Sequence, residues 1–253
     1  MMKRIVCLIA ALVLTLSISL ACAEGLRSYT KEDGYVYVNL GKYPQKADGT
    51  ELPLLWRVLT VDEEKAYLCS EYVLFAMPMH VNYTEYKTLG KDFGQTELCK
   101  YLNGDFASVN FTTGQLFLLA EDETYGKFFL LSGDELKNKA YGFTSNESRK
   151  AWGTEYALNN GLFKYMSHRG SHSPYWTRTQ STSNVKAARC TKSQGELGYI
   201  TVTTDDEGMR PACWLRLEQI RIDSGSGTME DPFTLLPVPG ADEPVVIEVT
   251  PLE

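Results

Sequence analysis

The sequence predicts an α+β fold, a mainly antiparallel sheet carrying short helices. Three observations point there. Runs that alternate apolar and polar residues, or that concentrate β-branched and aromatic ones, occur early and again close together late in the chain. The stretches at helical spacing lie between them and are short, each with its own cap or stop. The turns joining neighbouring strand-like runs are too short for a parallel crossover. No internal repeat is visible.

The chain opens with Lys3 and Arg4, followed by an apolar run over 5–20 broken only by Thr15, Ser17 and Ser19. Ala21-Cys22-Ala23 then supplies small residues at the spacing a signal peptidase cuts. Residues 1–23 are expected to be a signal peptide cleaved after Ala23. The rivals are a retained membrane anchor, for which the run is short, and a lipoprotein acylated at Cys22. Against the latter, Ser19 stands where such signals carry leucine. A single globular domain is expected over 24–222.

Within it, "YVYVNLGKYP" alternates and then turns. "LLWRVLTV" (54–61) and "KAYLCS" (65–70) flank Asp62-Glu63-Glu64 as a hairpin. "FGQTELCKYLNGDF" (93–106) has Leu98, Tyr101 and Leu102 at helical spacing and an expected stop at Asn103-Gly104. "KFFLLSGDELKNKAYG" reads as a strand entering a helix, with Ser132 and Glu135 as a capping box. "TSNESRKAWG" repeats that arrangement with Thr144 and Glu147. Strands follow at "PYWTRT" (174–179), "KAARCTKS" (186–193), "LGYITVTT" (197–204) and "EGMRPACWLR" (207–216). In the last, alternation puts Cys213, Leu215 and Leu217 on one face and Trp214 and Arg216 on the other.

An apolar fraction of 43% is enough for a packed core and excludes global disorder. The net charge is −7. No Lys or Arg follows Arg221, whereas Asp223, Glu230, Asp231, Asp242, Glu243, Glu248 and Glu253 do. The acidity is mostly a property of this segment, and no basic footprint for nucleic acid is present. Residues 223–253, rich in Gly and then Pro, read as a mobile acidic tail, though "VVIEV" (245–249) has the pattern of a strand.

Loss of Cys7 and Cys22 with the signal leaves Cys69, Cys99, Cys190 and Cys213. These permit two disulfides or four separate buried thiols. No C-x-x-C spacing indicates a zinc knuckle or a redox pair.

Taken in order, "LGKYPQ", "LLWRVLTV", "YLCSEYVL", "LCKYLNGDF", "FLLSGDEL", "YWTRT" and "GMRPACWLRL" resemble a family of exported bacterial domains of unknown function over roughly 35–222. The family pattern Y-W-L-R-S stands here as Tyr175-Trp176-Thr177-Arg178-Thr179, and G-V-R-P-A-L as Gly208-Met209-Arg210-Pro211-Ala212-Cys213. "GSGT" through "DPF" at 225–233 is similar to the family's common ending. More distantly, the end pattern resembles the C-type-lectin-like superfamily, which includes the formylglycine-generating enzymes. That resemblance implies a C-type-lectin-like α+β fold and transmits no chemistry. It also implies that Cys213 occupies an aliphatic position, a packed residue and not a catalytic thiol. Cys190 and Cys213 stand 23 apart on different strands, whereas such an enzyme's copper site needs two close cysteines on one loop.

Other chemistry is sparse. His168 and His172 sit at i, i+4 in a stretch whose Gly, Ser and Pro read as a loop, and His80 has no evident partner. Asp205-Asp206-Glu207 offers three acids in a turn, a calcium geometry or a solvated hairpin. The sugar-binding triplets of C-type lectins are absent, as are G-x-S-x-G and the phosphate-binding loop. No catalytic residue, metal or cofactor is expected. What remains is aromatic and guanidinium chemistry at Trp152, Tyr175, Trp176, Arg178 and Arg210, suited to sugars or peptide carboxylates. The competing reading has Arg178 and Arg210 bracing neighbouring strands. The expected function is an exported binding module, secreted or held at the cell surface, with no membrane span after cleavage. Its ligand would be a glycan, a peptide or a surface protein. The alternatives are an extracellular hydrolase or oxidase with a dispersed site, and a purely structural surface module.

Overall fold

In the computed structural model, residues 26, 34–164, 172–182 and 187–238 are described. The expected signal segment 1–23, His168 and "VVIEV" lie outside the described residues. The fold is mixed α+β, mostly sheet with few short helices.

Alternation in the first third builds β1 (Tyr37–Pro44), β2 (Glu51–Val61) and β3 (Lys65–Ser70), paired antiparallel in succession. The turn between β2 and β3 falls where expected. The Asp62 carboxylate accepts from the backbone N–H groups of Glu64 and Lys65 and closes it. The short β4 (Phe75–Ala76) then leaves this layer and starts a second one.

The helical middle differs from the sequence reading at two points. The helix Glu97–Tyr101 does not stop at Asn103-Gly104. It runs through one wide π turn, Leu102–Phe106, into the helix Ala107–Asn110. Asn103 is held by tertiary bonds that no local pattern announces. Its side-chain amide donates to the carbonyls of Tyr125 and Phe128 and accepts from the N–H groups of Lys127 and Phe128. The expected Thr144–Glu147 capping box is shifted by one residue, since Ser145 and Ser148 exchange the bonds. The Ser132–Glu135 box forms as expected, at 3.1 Å and 2.6 Å.

Short strands β5 (Leu119–Ala120) and β6 (Phe128–Leu130) return to the first layer. β7 (Tyr175–Gln180), β8 (Ala187–Thr191) and β9 (Leu197–Thr201) form an antiparallel meander in the second. β10 (Gly208–Met209) lies between β4 and β7, and β11 (Pro211–Arg216) lies in the first layer against β3. The G-M-R-P-A run is therefore the place where the chain changes sheets. Gly208 is needed there, because a Cβ would collide with Val73, Leu162 and the Pro174 carbonyl. Pro211 opens β11, a position that tolerates a missing N–H. The strand order is β4-β10-β7-β8-β9 in the smaller sheet, which leaves β9 as an edge.

The sheet continues past residue 222, where the sequence reading placed the start of a tail. β12 (Ile220–Ser224) pairs with β13 (Phe233–Pro237), and β13 pairs parallel with β1. The larger sheet accordingly runs β12-β13-β1-β2-β3-β11-β5, with β6 also on β11. Phe233, Leu235 and Val238 are buried, and full burial of one such side chain is worth about 1.5–3 kcal/mol. The Gly/Ser stretch at 225–228 is a turn inside the domain.

One core cluster draws on both sheets. Trp56 is fully buried and donates its indole N–H to the Leu40 carbonyl at 2.8 Å. Cys213 and Leu215 are fully buried on one face of β11, as is Leu217 in the 3-10 turn that follows it, while Trp214 and Arg216 are partly exposed on the other face. Trp214 stacks on its cross-strand partner Tyr67 at 4.2 Å between ring centroids. All four cysteines, Cys69, Cys99, Cys190 and Cys213, are free and buried, so the open question of two disulfides is answered by four separate thiols. No helix among the described residues is long and apolar enough to cross a membrane.

Candidate functional site

The five side chains expected to bind a ligand are not brought together on a surface. Tyr175 and Trp176 alternate along β7, yet both are buried, because the smaller sheet is covered on both faces where β7 runs. The Trp176 indole donates to the Met77 carbonyl at 3.0 Å, and the Tyr175 hydroxyl to the Arg149 carbonyl at 2.6 Å. Arg210 is 1% exposed at the sheet crossing. It donates to the Ser70 carbonyl at 2.8 Å and to the Tyr175 hydroxyl at 3.3 Å, so it ties together the two points where the chain changes layers. Burial leaves none of these three a surface to offer.

Arg178 has a structural partner as well. Its two terminal nitrogens grip both oxygens of Glu135 at 2.7 Å, and it also donates to the Leu130 carbonyl. Burial disfavours its charged form, but the bonds to Glu135 outweigh this and hold its pKa above the ordinary arginine value. Since β7 and β6 belong to different sheets, Arg178 braces one against the other. Only Trp152 is exposed, and it lies against His172 with centroids 4.2 Å apart. His80 has partners that the sequence concealed: it is buried, with the carboxylates of Glu97 and Glu85 3.5 Å and 3.6 Å from its ring nitrogens.

The structure places a different group in a cleft. The turn Asp205-Asp206-Glu207 is not a solvated hairpin throughout, because Glu207 is 2% exposed. Three non-contiguous segments put it there. Its own carbonyl accepts from Met77 N–H at 3.3 Å, Gly208 N–H donates to Pro174, and Phe163 N–H donates to the Asp206 carbonyl at 2.9 Å. The β8–β9 hairpin faces them. Lys192 accepts from Gly195 N–H in its turn, and Gly195 has φ of 81°, where a Cβ would also strike the Asn146 backbone.

Between these walls lies a cleft of about 440 Å³. Phe163, Pro174, Tyr199 and Ile200 give it an apolar lining, Lys192, Glu196 and Asp206 stand around it, and Cys190 and Glu207 are buried beside one another. Phe163 and Tyr199 are large aromatic side chains left more than two-fifths exposed, at 44% and 47%.

Burial pushes the Glu207 carboxyl up to about 7; the hydrogen bond with Cys190 pulls the other way and the Asp206 charge adds to the rise. Burial, and then the neighbouring Glu207 charge, push the Cys190 thiol up as well. Cys190 therefore stays a thiol at neutral pH and is not an activated nucleophile. One Glu207 oxygen, Oε1, is buried with no hydrogen-bond partner among the described residues. A buried carboxyl oxygen left unpaired costs stability and is uncommon. Among the described residues no group of three or more His, Cys, Asp or Glu could hold a metal ion.

Sequence reasoning had Glu207 only as one of three acids in a calcium-binding or solvated turn, and it missed Phe163 and Tyr199. The one available signal was that Glu207 abuts the apolar strand run "GMRPACWL", which draws its neighbours inward. Phe163 and Tyr199 carry no local mark.

A family model described as a domain of unknown function (DUF6273) matches residues 110–217. That stretch includes every residue lining the cleft and both segments around Arg178 and Arg210. No curated protein and no solved structure matches the chain.

Proposed function

We propose that this chain is an exported binding module whose ligand seats in the cleft between the β8–β9 hairpin and the 206–207 turn. One observation carries the reading: an aromatic-edged hollow with an unpaired carboxyl oxygen, Glu207 Oε1, buried in its wall. Apolar clefts with a few placed polar groups are the usual form of small-ligand and peptide-side-chain sites. The exposed rings of Phe163 and Tyr199 supply flat contact area, and Glu207 supplies direction. A peptide or small organic ligand suits this lining better than a whole protein surface, because the hollow is local. The C-type-lectin-like relationship belongs to the same proposal. It agrees with the two-layer, mostly antiparallel arrangement.

The test is a peptide and glycan array probed with the full chain and with Phe163→Ala, Tyr199→Ala and Trp152→Ala. Loss of the hits with the first two variants and their retention with the third is the expected result. Loss with Trp152→Ala alone would move the site to the Trp152–His172 surface.

A second reading is favoured by the raised pKa of Glu207, since a carboxyl near 7 suits general acid–base work. Turnover of an ester or glycoside panel that disappears in Glu207→Gln would decide for the enzyme.

A further inference from the structure

We propose that the cleft selects an organic cation, an ammonium group on an apolar body, with the ammonium seated against the Glu207 carboxylate. This deepens the binding reading and rests on it.

The argument begins with the unpaired oxygen. Glu207 Oε1 is buried, and no protein N–H or cation reaches it among the described residues. Elsewhere in this molecule even partly buried carboxylates are gripped, Glu135 by Arg178 and Glu71 by Arg57, each through two bonds of 2.7–2.8 Å. Among the described residues, the side-chain partner of Glu207 is the weakly donating Cys190 thiol. The missing partner is a donor, and a cation meets the need best, because charge-assisted hydrogen bonds are about twice as strong as neutral ones.

The surroundings agree. Among the described residues, the titratable or charged groups lining the cleft are Cys190 from β8, Lys192 and Glu196 from the hairpin turn, Tyr199 from β9, and Asp206 and Glu207 from the opposite turn. Three of these are carboxylates and one is a fixed cation, so the hollow attracts positive charge and repels carboxylate ligands. Of the remaining lining, Phe163, Pro174, Ile200 and the ring of Tyr199 are apolar or aromatic, and Ser193 and Gln194 are neutral polar residues. An ammonium near aromatic faces also gains from their quadrupoles. Because burial holds the empty site's carboxyl near neutrality, ammonium binding drives it to its charged form and releases a proton in the neutral range.

The test uses the full chain labelled with ¹⁵N and three probes with the same phenyl body: 2-phenylethylammonium, neutral 2-phenylethanol and anionic 3-phenylpropanoate. The amides of Phe163, Tyr199 and Ile200 are followed at pH 5.5 and pH 8, in the native chain and in Glu207→Gln. The expected result is that the ammonium probe shifts these amides and binds roughly tenfold tighter at pH 8 than at pH 5.5, following ionisation of Glu207. Glu207→Gln, a near-isostere whose fold is checked by its amide spectrum, is expected to lose that pH dependence. It should bind the ammonium probe at pH 8 roughly tenfold more weakly, with the alcohol unaffected. Equal binding of ammonium and alcohol at both pH values would overturn the cation inference and leave the cleft as a binding site. If none of the three probes moves a cleft amide, the binding reading falls together with the inference.

Discussion

Glu135 is a partly buried carboxylate and Glu207 a buried one, and the molecule handles them in opposite ways. Around Glu135, at the junction of the sheets, the polar groups are matched. Arg178 meets both carboxylate oxygens, Tyr67 donates to one at 3.2 Å, and Ser132 N–H donates to the other. Around Glu207, in the wall of the smaller sheet, they are not. Its Oε1 and the nearby hydroxyls of Ser173 and Thr191 are buried without partners among the described residues. A partly buried charge matched by a partner recovers part of its desolvation cost and fixes geometry, whereas an unmatched buried one costs stability that packing elsewhere must offset. Motif resemblance drew attention to the first region, and physical mismatch marks the second. The Y-W-x-R and G-x-R-P-A segments hold the two sheets together, and the cleft lies beside them.

The comparison can be broken most severely from the larger sheet. Truncation after Ile222 removes β13, uncovers the edge of β1 and deletes the buried Phe233, Leu235 and Val238. The expected loss exceeds about 5 kcal/mol, by analogy with large-to-small core substitutions at two or three sites. That is enough to abolish cooperative unfolding in a domain of ordinary stability. A thermal midpoint unchanged by the truncation would show that β13 is not part of the fold.

Glu207→Gln sharpens it from the other side. The folded-state pKa of Glu207, about 7, lies above the ordinary 4.5, so the folded chain holds this proton more tightly than the unfolded one. That contribution is fully present below about pH 4.5 and is lost as pH rises through about 7, a fall of roughly 3 kcal/mol. The glutamine variant has no carboxyl to ionise. It should match the native chain near pH 4.5 and exceed it at pH 8, when both are followed by chemical denaturation. Parallel pH profiles would mean that Glu207 ionises as an exposed carboxylate does.

Arg178→Lys is a smaller perturbation of the matched region. Lysine keeps the charge but cannot reach two carboxylate oxygens and the Leu130 carbonyl together. A loss of about 2 kcal/mol is expected, with binding in the cleft unchanged. Unaltered melting would refute the brace.

How much of this was legible in the sequence follows from how local each signal is. The alternation of Cys213, Leu215 and Leu217, the Asp62 hairpin and the Ser132–Glu135 box depend on neighbours within a few residues, and each could be read. β13 could not. Its partner β1 lies almost two hundred residues away, and "FTLLP" between prolines has the composition of a tail. The continuation past Gly104 depends on Asn103 bonding to a loop more than twenty residues distant. Tyr175, Trp176 and Arg210 have the side chains of a recognition surface, but how deeply a residue lies is decided by what covers it. Glu207 is the same problem in reverse, an acid in an acidic turn that tertiary contacts pull inward.

The most direct test of the account is a ¹³C NMR titration of the glutamate side-chain carboxyls in the full chain, with Glu207 assigned by its absence from Glu207→Gln. A Glu207 midpoint near pH 7, moved downward by a bound ammonium probe, is the result predicted. A midpoint near the ordinary glutamate value of 4.5 would contradict it, because a carboxyl that ionises there is already paired or solvated and has no partner to wait for.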